Sequence, residues 1–255
     1  MSFEWQSVAL GTVPARMRPM TEQERAAENL KVIRALMERA TVYRAISWPT
    51  ALFGGVLALI LSSLLFFREK IAVTGGEDAP TMMSEEAWVL CWLVAMLVTA
   101  VFNSVLIARK SSRDGSVFFS PGLKMALRAL VPPMLVGGLL GIGHAFSTSG
   151  TAAGAAAVWT LCYGLALLAT ISIAPRSIRW LGWSFLVLGV ASYAYVWSDG
   201  AHPLPLIGPV DHMESPMMEA NLIMGAGFGG LHLVYGLIVM FLGRRGQEAL
   251  AASDD

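Results

Sequence analysis

A run of 47 residues from Ala129 to Pro175 contains no Asp, Glu, Lys or Arg, and this feature removes most of the folds open to a chain of 255 residues. Soluble domains are about 25 % charged, so they seldom go far without a charge. Here only 14 % of residues are charged and 55 % are hydrophobic. Uncharged stretches in such a chain read as membrane crossings, because about 20 residues rising 1.5 Å each span the hydrocarbon. The 47-residue run is too long for one crossing, and Ser147-Thr148-Ser149-Gly150-Thr151 breaks it with turn-forming residues.

The same reading along the chain predicts spans at 46–67, 87–108, 129–146, 153–174, 180–197 and 221–242. The expected fold is an all-α integral membrane protein, a six-transmembrane-helix bundle made of three hairpins and occupying residues 45–242. A cytoplasmic segment, 1–44, precedes it and a cytoplasmic tail, 243–255, follows. No apolar signal-peptide core lies ahead of the first span. With six spans, 16 of the 18 basic residues share the side that holds both termini, leaving only Arg68 and Lys70 opposite. The positive-inside rule then makes both termini cytoplasmic. Seven of eight tryptophans fit that topology: Trp48, Trp180 and Trp183 at inner ends, Trp88, Trp92, Trp159 and Trp197 at outer ends.

Small residues predict where helices meet, since association in lipid depends on close backbone approach. Gly137 and Gly141 form one GxxxG and Gly225 and Gly229 another. They read as packing faces within the chain, with a homo-oligomer left open. Pro132-Pro133 should kink the third span, yet no matching break recurs elsewhere, so an inverted-repeat transporter is not supported. Cys91 and Cys162 form no CxxC or disulfide framework and read as packing residues.

No predicted span contains Asp, Glu, Lys or Arg, which argues against ion-coupled transport. The remaining intramembrane candidates for ligand binding are His144 and His232, with Tyr163 and Tyr193 as hydrogen-bond partners for His232. A bis-histidine haem is disfavoured because the two histidines differ in depth by roughly 12 Å. On the outer side, His202, His212, Met213, Met217 and Met218 combine imidazole with thioether, a donor set suited to copper(I), although their spacing matches no closed site. The plain reading of that stretch is a solvated loop. No nucleophile elbow, P-loop, dinucleotide fingerprint or HExxH occurs, and no cofactor is called for.

Thr21-Glu22-Gln23-Glu24 has the form of a capping box and predicts an amphipathic cytoplasmic helix over about 22–44. Leu30, Ile33 and Met37 make its apolar stripe, and Arg34 and Glu38 pair at i, i+4 on another face. Such a helix lies along the bilayer surface or docks a cytosolic protein. The expected partners are therefore the lipid bilayer and a protein at this helix, without direct nucleic-acid binding.

Four phrases complete the reading: Ile33-Arg34-Ala35-Leu36-Met37-Glu38-Arg39-Ala40, Tyr163-Gly164, Ala174-Pro175-Arg176-Ser177-Ile178-Arg179-Trp180-Leu181-Gly182-Trp183 and Gly229-Gly230-Leu231-His232-Leu233-Val234-Tyr235-Gly236. Together they resemble a group of bacterial multi-span inner-membrane proteins with no assigned activity. The resemblance covers most of the chain. It implies a bacterial inner-membrane location and the same fold, and it carries over no catalytic residue. Two functional classes stay open: a non-enzymatic structural or regulatory membrane module, which is favoured, and a small-ligand or metal binding or transport protein.

Overall fold

A computed structural model of the chain describes residues 21–23, 25, 26, 28–30, 48–76, 79–113, 115, 119, 121–148, 150–172, 174–197 and 215–251. Residues 1–37 and 38–255 form separate compact units. Within the first, residues 22, 23, 25, 26 and 28–30 are helical and Leu30 is exposed. Ile33 and Met37 lie outside the described residues.

Among the described residues of the second unit every regular element is a helix. It comprises α1 (Trp48–Thr74), α2 (Glu85–Arg113), α3 (Pro121–Ala145), α4 (Ala152–Ala169) and α5 (Arg176–Val196). A last rod follows, in which α6 (Pro216–Met224) continues through a π-helical segment, Gly225–Leu231, into α7 (His232–Ala251). Among the described residues five stretches are long and apolar enough to cross a membrane: Trp48–Thr74, Glu85–Arg113, Gly122–Ala145, Ala152–Ala169 and Pro216–Gly243. α5 has the length, at 21 residues, but Arg176 and Arg179 sit in its first turn and Ser184, Ser192, Tyr193 and Tyr195 dilute its apolar content.

Local chemistry explains where the rods begin. Thr151, in an extended conformation, accepts the Gly154 N–H at 3.1 Å, so the polar break in the long uncharged run becomes the cap of α4. Ser215 caps α6 in the same way through the Met217 N–H, and Pro216 occupies the first helical position, where its missing N–H costs nothing. α3 runs through Pro132 and Pro133 without interruption.

Several helices run past the uncharged stretches, α1 at its C-terminal end, α2 and the last rod at both ends, whereas α4 stops at Ala169, short of the expected 174. α1 therefore includes Arg68, Glu69 and Lys70, and α6 includes Glu219. At 27 residues α1 is about 40 Å long, more than the ~30 Å of hydrocarbon, which leaves its charged end to reach past the apolar layer.

Packing follows the small residues. α4, whose Ala152, Ala153, Ala155, Ala156 and Ala157 are all buried, lies between α3 and α5. Gly137 and Gly141 on α3 face Cys162 and Trp159 on α4, and Gly164 on α4 faces the α5 backbone at Gly182 and Leu186. On the last rod, Gly225, Gly229 and Gly236 face Ser62, Leu59 and Leu52 of α1, while Gly55 of α1 faces Gly229 and Leu233. The expected third hairpin is therefore the weaker pairing: α5 packs chiefly on α4, and the last rod packs chiefly on α1. α2 docks through its first turns, where Trp88, Val89 and Trp92 are buried, and is exposed at Val94, Met96, Leu97, Val98, Val101 and Val105 beyond them.

The tryptophans divide on the same basis. Trp48, Trp180, Trp183 and Trp197 are exposed, as a headgroup belt requires, whereas Trp88 and Trp92 are buried and Trp159 packs against the core. These last three form a cluster instead of a belt, because α2 and α4 turn them toward each other at the end of the bundle that carries Glu69.

Candidate functional site

Two polar constellations stand out in the bundle. The first sits where α1 ends and α6 begins. Glu69 is 1 % exposed and Asn221 is 0 % exposed. A carboxylate taken out of water needs donors, and Glu69 has them from two directions. The Ser215 hydroxyl donates to its Oε1 at 3.0 Å and the Met83 N–H to its Oε2 at 3.3 Å. Ser215 thus bridges α1 to the start of the last rod while capping that rod.

One turn deeper, the Trp88 indole N–H donates to Asn221 Oδ1 at 3.0 Å, and the Asn221 amide donates to Met217 O at 2.9 Å. Trp88 stacks nearly parallel to Trp159 at 5.4 Å. On the neighbouring flank the Tyr195 hydroxyl donates to Glu219 Oε1 at 3.1 Å, joining α5 to α6. The Arg68 guanidinium donates to Thr81 O at 3.1 Å and holds the segment between α1 and α2 against the same end. Chemically this is a clasp: acceptors on α1 and α6 take hydrogens from α2, from α5, from the Ser215 cap and from the segment between α1 and α2.

The second constellation lies about halfway along the last rod. His232 Nδ1 is 3.0 Å from Phe228 O and its Nε2 is 2.9 Å from the Tyr163 hydroxyl. A carbonyl can only accept, so Nδ1 carries the hydrogen, and in the neutral ring Nε2 accepts the Tyr163 O–H. Tyr163, Phe185, Phe228 and His232 form one aromatic cluster, with Tyr163 4.7 Å from Phe185 and 5.0 Å from Phe228. Further along, Tyr235 and Ser177 oxygens approach to 3.4 Å.

The ligand candidates read from the sequence separate. Tyr163 and His232 meet. Tyr193 is exposed and stacks on Trp197 at 5.7 Å, away from His232. The His144 ring lies against the backbone of Gly154 at the start of α4. Nine residues separate Gly154 from Tyr163 on α4, about 13 Å of rise, so the two histidines sit at different depths.

Of the metal candidates, Met217 and Met218 lie in the first turn of α6 and are buried, not in a loop. Ser215-Pro216 starts the helix there, and the helix turns both thioethers into the bundle. His202, His212 and Met213 are outside the described residues. Among the described residues no three His, Cys, Asp or Glu side chains converge as a metal site would require.

Glu69, Ser215, Glu219 and Asn221 were not singled out by sequence reasoning, which placed Trp88 in the headgroup belt, ended α1 at the first charge and began the last span at Asn221. The Ser-Pro pair at 215–216 is a helix-start signature and was the available signal for α6. Nothing local marks Glu69 as buried, since its partners come from 14 and 146 residues away.

No family model, curated protein or solved structure matches the chain.

Proposed function

We propose that the chain is a six-span protein of the bacterial inner membrane with both termini in the cytoplasm, and that it acts as a non-enzymatic structural or regulatory module. α5 is the sixth crossing in this reading, with Arg176 and Arg179 in the inner headgroup layer. The observation that carries the functional part is the clasp of Glu69, Ser215, Trp88 and Asn221. Its polar groups are spent on one another, joining the first, second and last helices, so their role is to hold an arrangement of helices. The segment 1–44 supplies the surface for a cytosolic partner in this reading, with the stripe of Leu30, Ile33 and Met37 facing it.

The second reading, small-ligand or metal binding or transport, is favoured by one observation: the π-helical segment directly before His232. π segments recur at functional sites.

Native mass spectrometry, absorption and metal analysis of protein purified in mild detergent test the choice. The module reading expects the bare chain mass with exchangeable lipid only, and a stoichiometric metal, haem or organic ligand would transfer the case to the second reading. For topology, a cysteine at Ser112 should resist impermeant thiol reagents in intact cells and one at Gly76 should react, in a background lacking Cys91 and Cys162. The reverse pattern would overturn the orientation.

A further inference from the structure

The last rod is tied by buried hydrogen bonds at one end, whereas beyond His232 it is held to α1 by packing, Gly236 against Leu52 and Leu233 against Gly55. Its first turns are bound through Ser215 to Glu69, Asn221 to Trp88 and Glu219 to Tyr195. Beyond His232, the exposed Val234, Leu237, Ile238, Phe241 and Leu242 line a shallow apolar groove along α7. Between the two lies Gly225–Leu231, seven π-helical residues of which four are glycine.

A π segment is rare and appears mostly as a single-turn bulge inside an α-helix, with bonds reaching one residue further than the α pattern. It therefore carries one residue more than α winding would use over the same length. Glycine lets the backbone pass between windings with little steric resistance. Something must therefore hold this stretch in its present state, and His232 does so with both ring nitrogens. Its backbone N–H donates to Gly229 O, whereas α winding would send it to Phe228 O. The ring Nδ1–H takes Phe228 O in its place, and Tyr163 on α4 holds the ring through Nε2.

We propose that Gly225–Leu231 is a π-to-α switch in the last rod, latched by the hydrogen bond from Tyr163 to His232. With the latch closed, α7 keeps its present rotation. With the latch open, the segment rewinds as α-helix, and α7 turns by about 100° and shifts by about 1.5 Å relative to α6, the increments of one residue. The clasp around Glu69 keeps α6 still, so the motion appears at the Gly243 end. This deepens the regulatory reading, on which its biological use rests, by naming the moving part. The test reads only the rotation of α7, so its failure is separate from failure of that reading.

Nitroxide labels at Leu237 and Val187, and in a second pair at Ile238 and Val187, are measured by pulsed electron spin resonance in lipid nanodiscs, with Cys91 and Cys162 replaced by Ala. All three label sites are exposed. A side chain about 5–6 Å from the helix axis moves about 8 Å when the helix turns 100°. Labels at Leu64 and Val187, on α1 and α5, serve as the control for an intact fold. Tyr163→Phe should raise a second distance in at least one α7 pair several-fold, as expected for loss of one hydrogen bond, and leave the control pair alone. His232→Phe should do the same and replaces Tyr163→Phe if that variant disturbs the control. Deletion of Gly230, around which there is room, removes the extra residue and should keep the parent distance whether or not Tyr163 is replaced. Parent distances in both Tyr163→Phe and His232→Phe would overturn the proposal, as would a shifted distance on deletion of Gly230.

Discussion

Replacing Gly164 by alanine should separate two helices that Gly138→Ala leaves untouched. A Cβ at Gly164 would lie 2.6 Å from the backbone N of Leu186, 3.0 Å from Gly182 O and 3.0 Å from the carbonyl carbon of Phe185. All three are backbone atoms of α5, so no side chain can swing aside. Relaxed carbon contacts fall near 3.5–4.0 Å. α4 and α5 must therefore move apart by about 1 Å along their most extensive interface, and overpacking of that kind costs about 1–3 kcal/mol. The helix-propensity gain of alanine over glycine, about 1 kcal/mol, offsets only part of this. At Gly138 nothing lies within 4 Å, so there the propensity gain stands alone. With roughly 2–4 °C per kcal/mol in a chain of this size, Gly164→Ala should melt several degrees below the parent and Gly138→Ala at or slightly above it. The assay is loss of the monodisperse size-exclusion peak after heating in detergent. Equal melting of the two variants would refute the close approach of α4 and α5 at Gly164.

Glu69→Ala leaves the buried Ser215 hydroxyl and the partly buried Met83 N–H without an acceptor and should destabilise by about 2–4 kcal/mol, whereas Glu69→Gln keeps one acceptor oxygen and should cost less. Thermal unfolding compares the two, and equal losses would mean the carboxylate is not the acceptor that matters. Trp88→Phe and Asn221→Leu each strand one partner of a buried hydrogen bond, so the double variant should be less destabilised than the sum of the singles by about 1 kcal/mol. Strict additivity in that cycle would remove the bond from the account of the clasp. Met217→Leu with Met218→Leu should leave any copper(I) or zinc response of the purified protein unchanged, because both side chains are buried in α6. A lost response would show that the thioethers reach the metal.

The apolar rods were legible because period and length are properties of a single stretch of sequence. The glycines at 137, 141, 225 and 229 were legible as packing faces for the same reason, although which helix each one meets was not. The clasp was hidden by a rule that works for the hydrocarbon layer but not for helix ends. A charge ends an apolar run without ending the helix, so Arg68, Glu69 and Lys70 fell into a loop on paper and into α1 in the fold. The π segment was hidden differently. Gly225-Ala226-Gly227-Phe228-Gly229-Gly230-Leu231 reads equally well as α-helix with a GxxxG, and the choice depends on His232 and Tyr163 meeting across 69 residues.

These two hidden features bear on each other. Helices in lipid gain little from apolar burial, so a few hydrogen bonds and close glycine contacts decide which parts are held and which can turn. Around Glu69 the bonds from Ser215, Met83, Trp88 and Tyr195 converge on α1 and α6 within two turns of helix. In the middle of the last rod one bond crosses between helices, from Tyr163 to His232. Toward the Trp48 end the cross-links include Thr50 to Asn103 at 2.9 Å, which does not touch α7, and the long 3.4 Å approach of Ser177 to Tyr235. Hydrogen-bonded restraint on the last rod is therefore concentrated near Ser215, and beyond His232 the rod is held to α1 mainly by packing, Gly236 on Leu52 and Leu233 on Gly55. A winding change is least opposed where hydrogen bonds give way to packing alone, and that is where the glycines and the π segment lie.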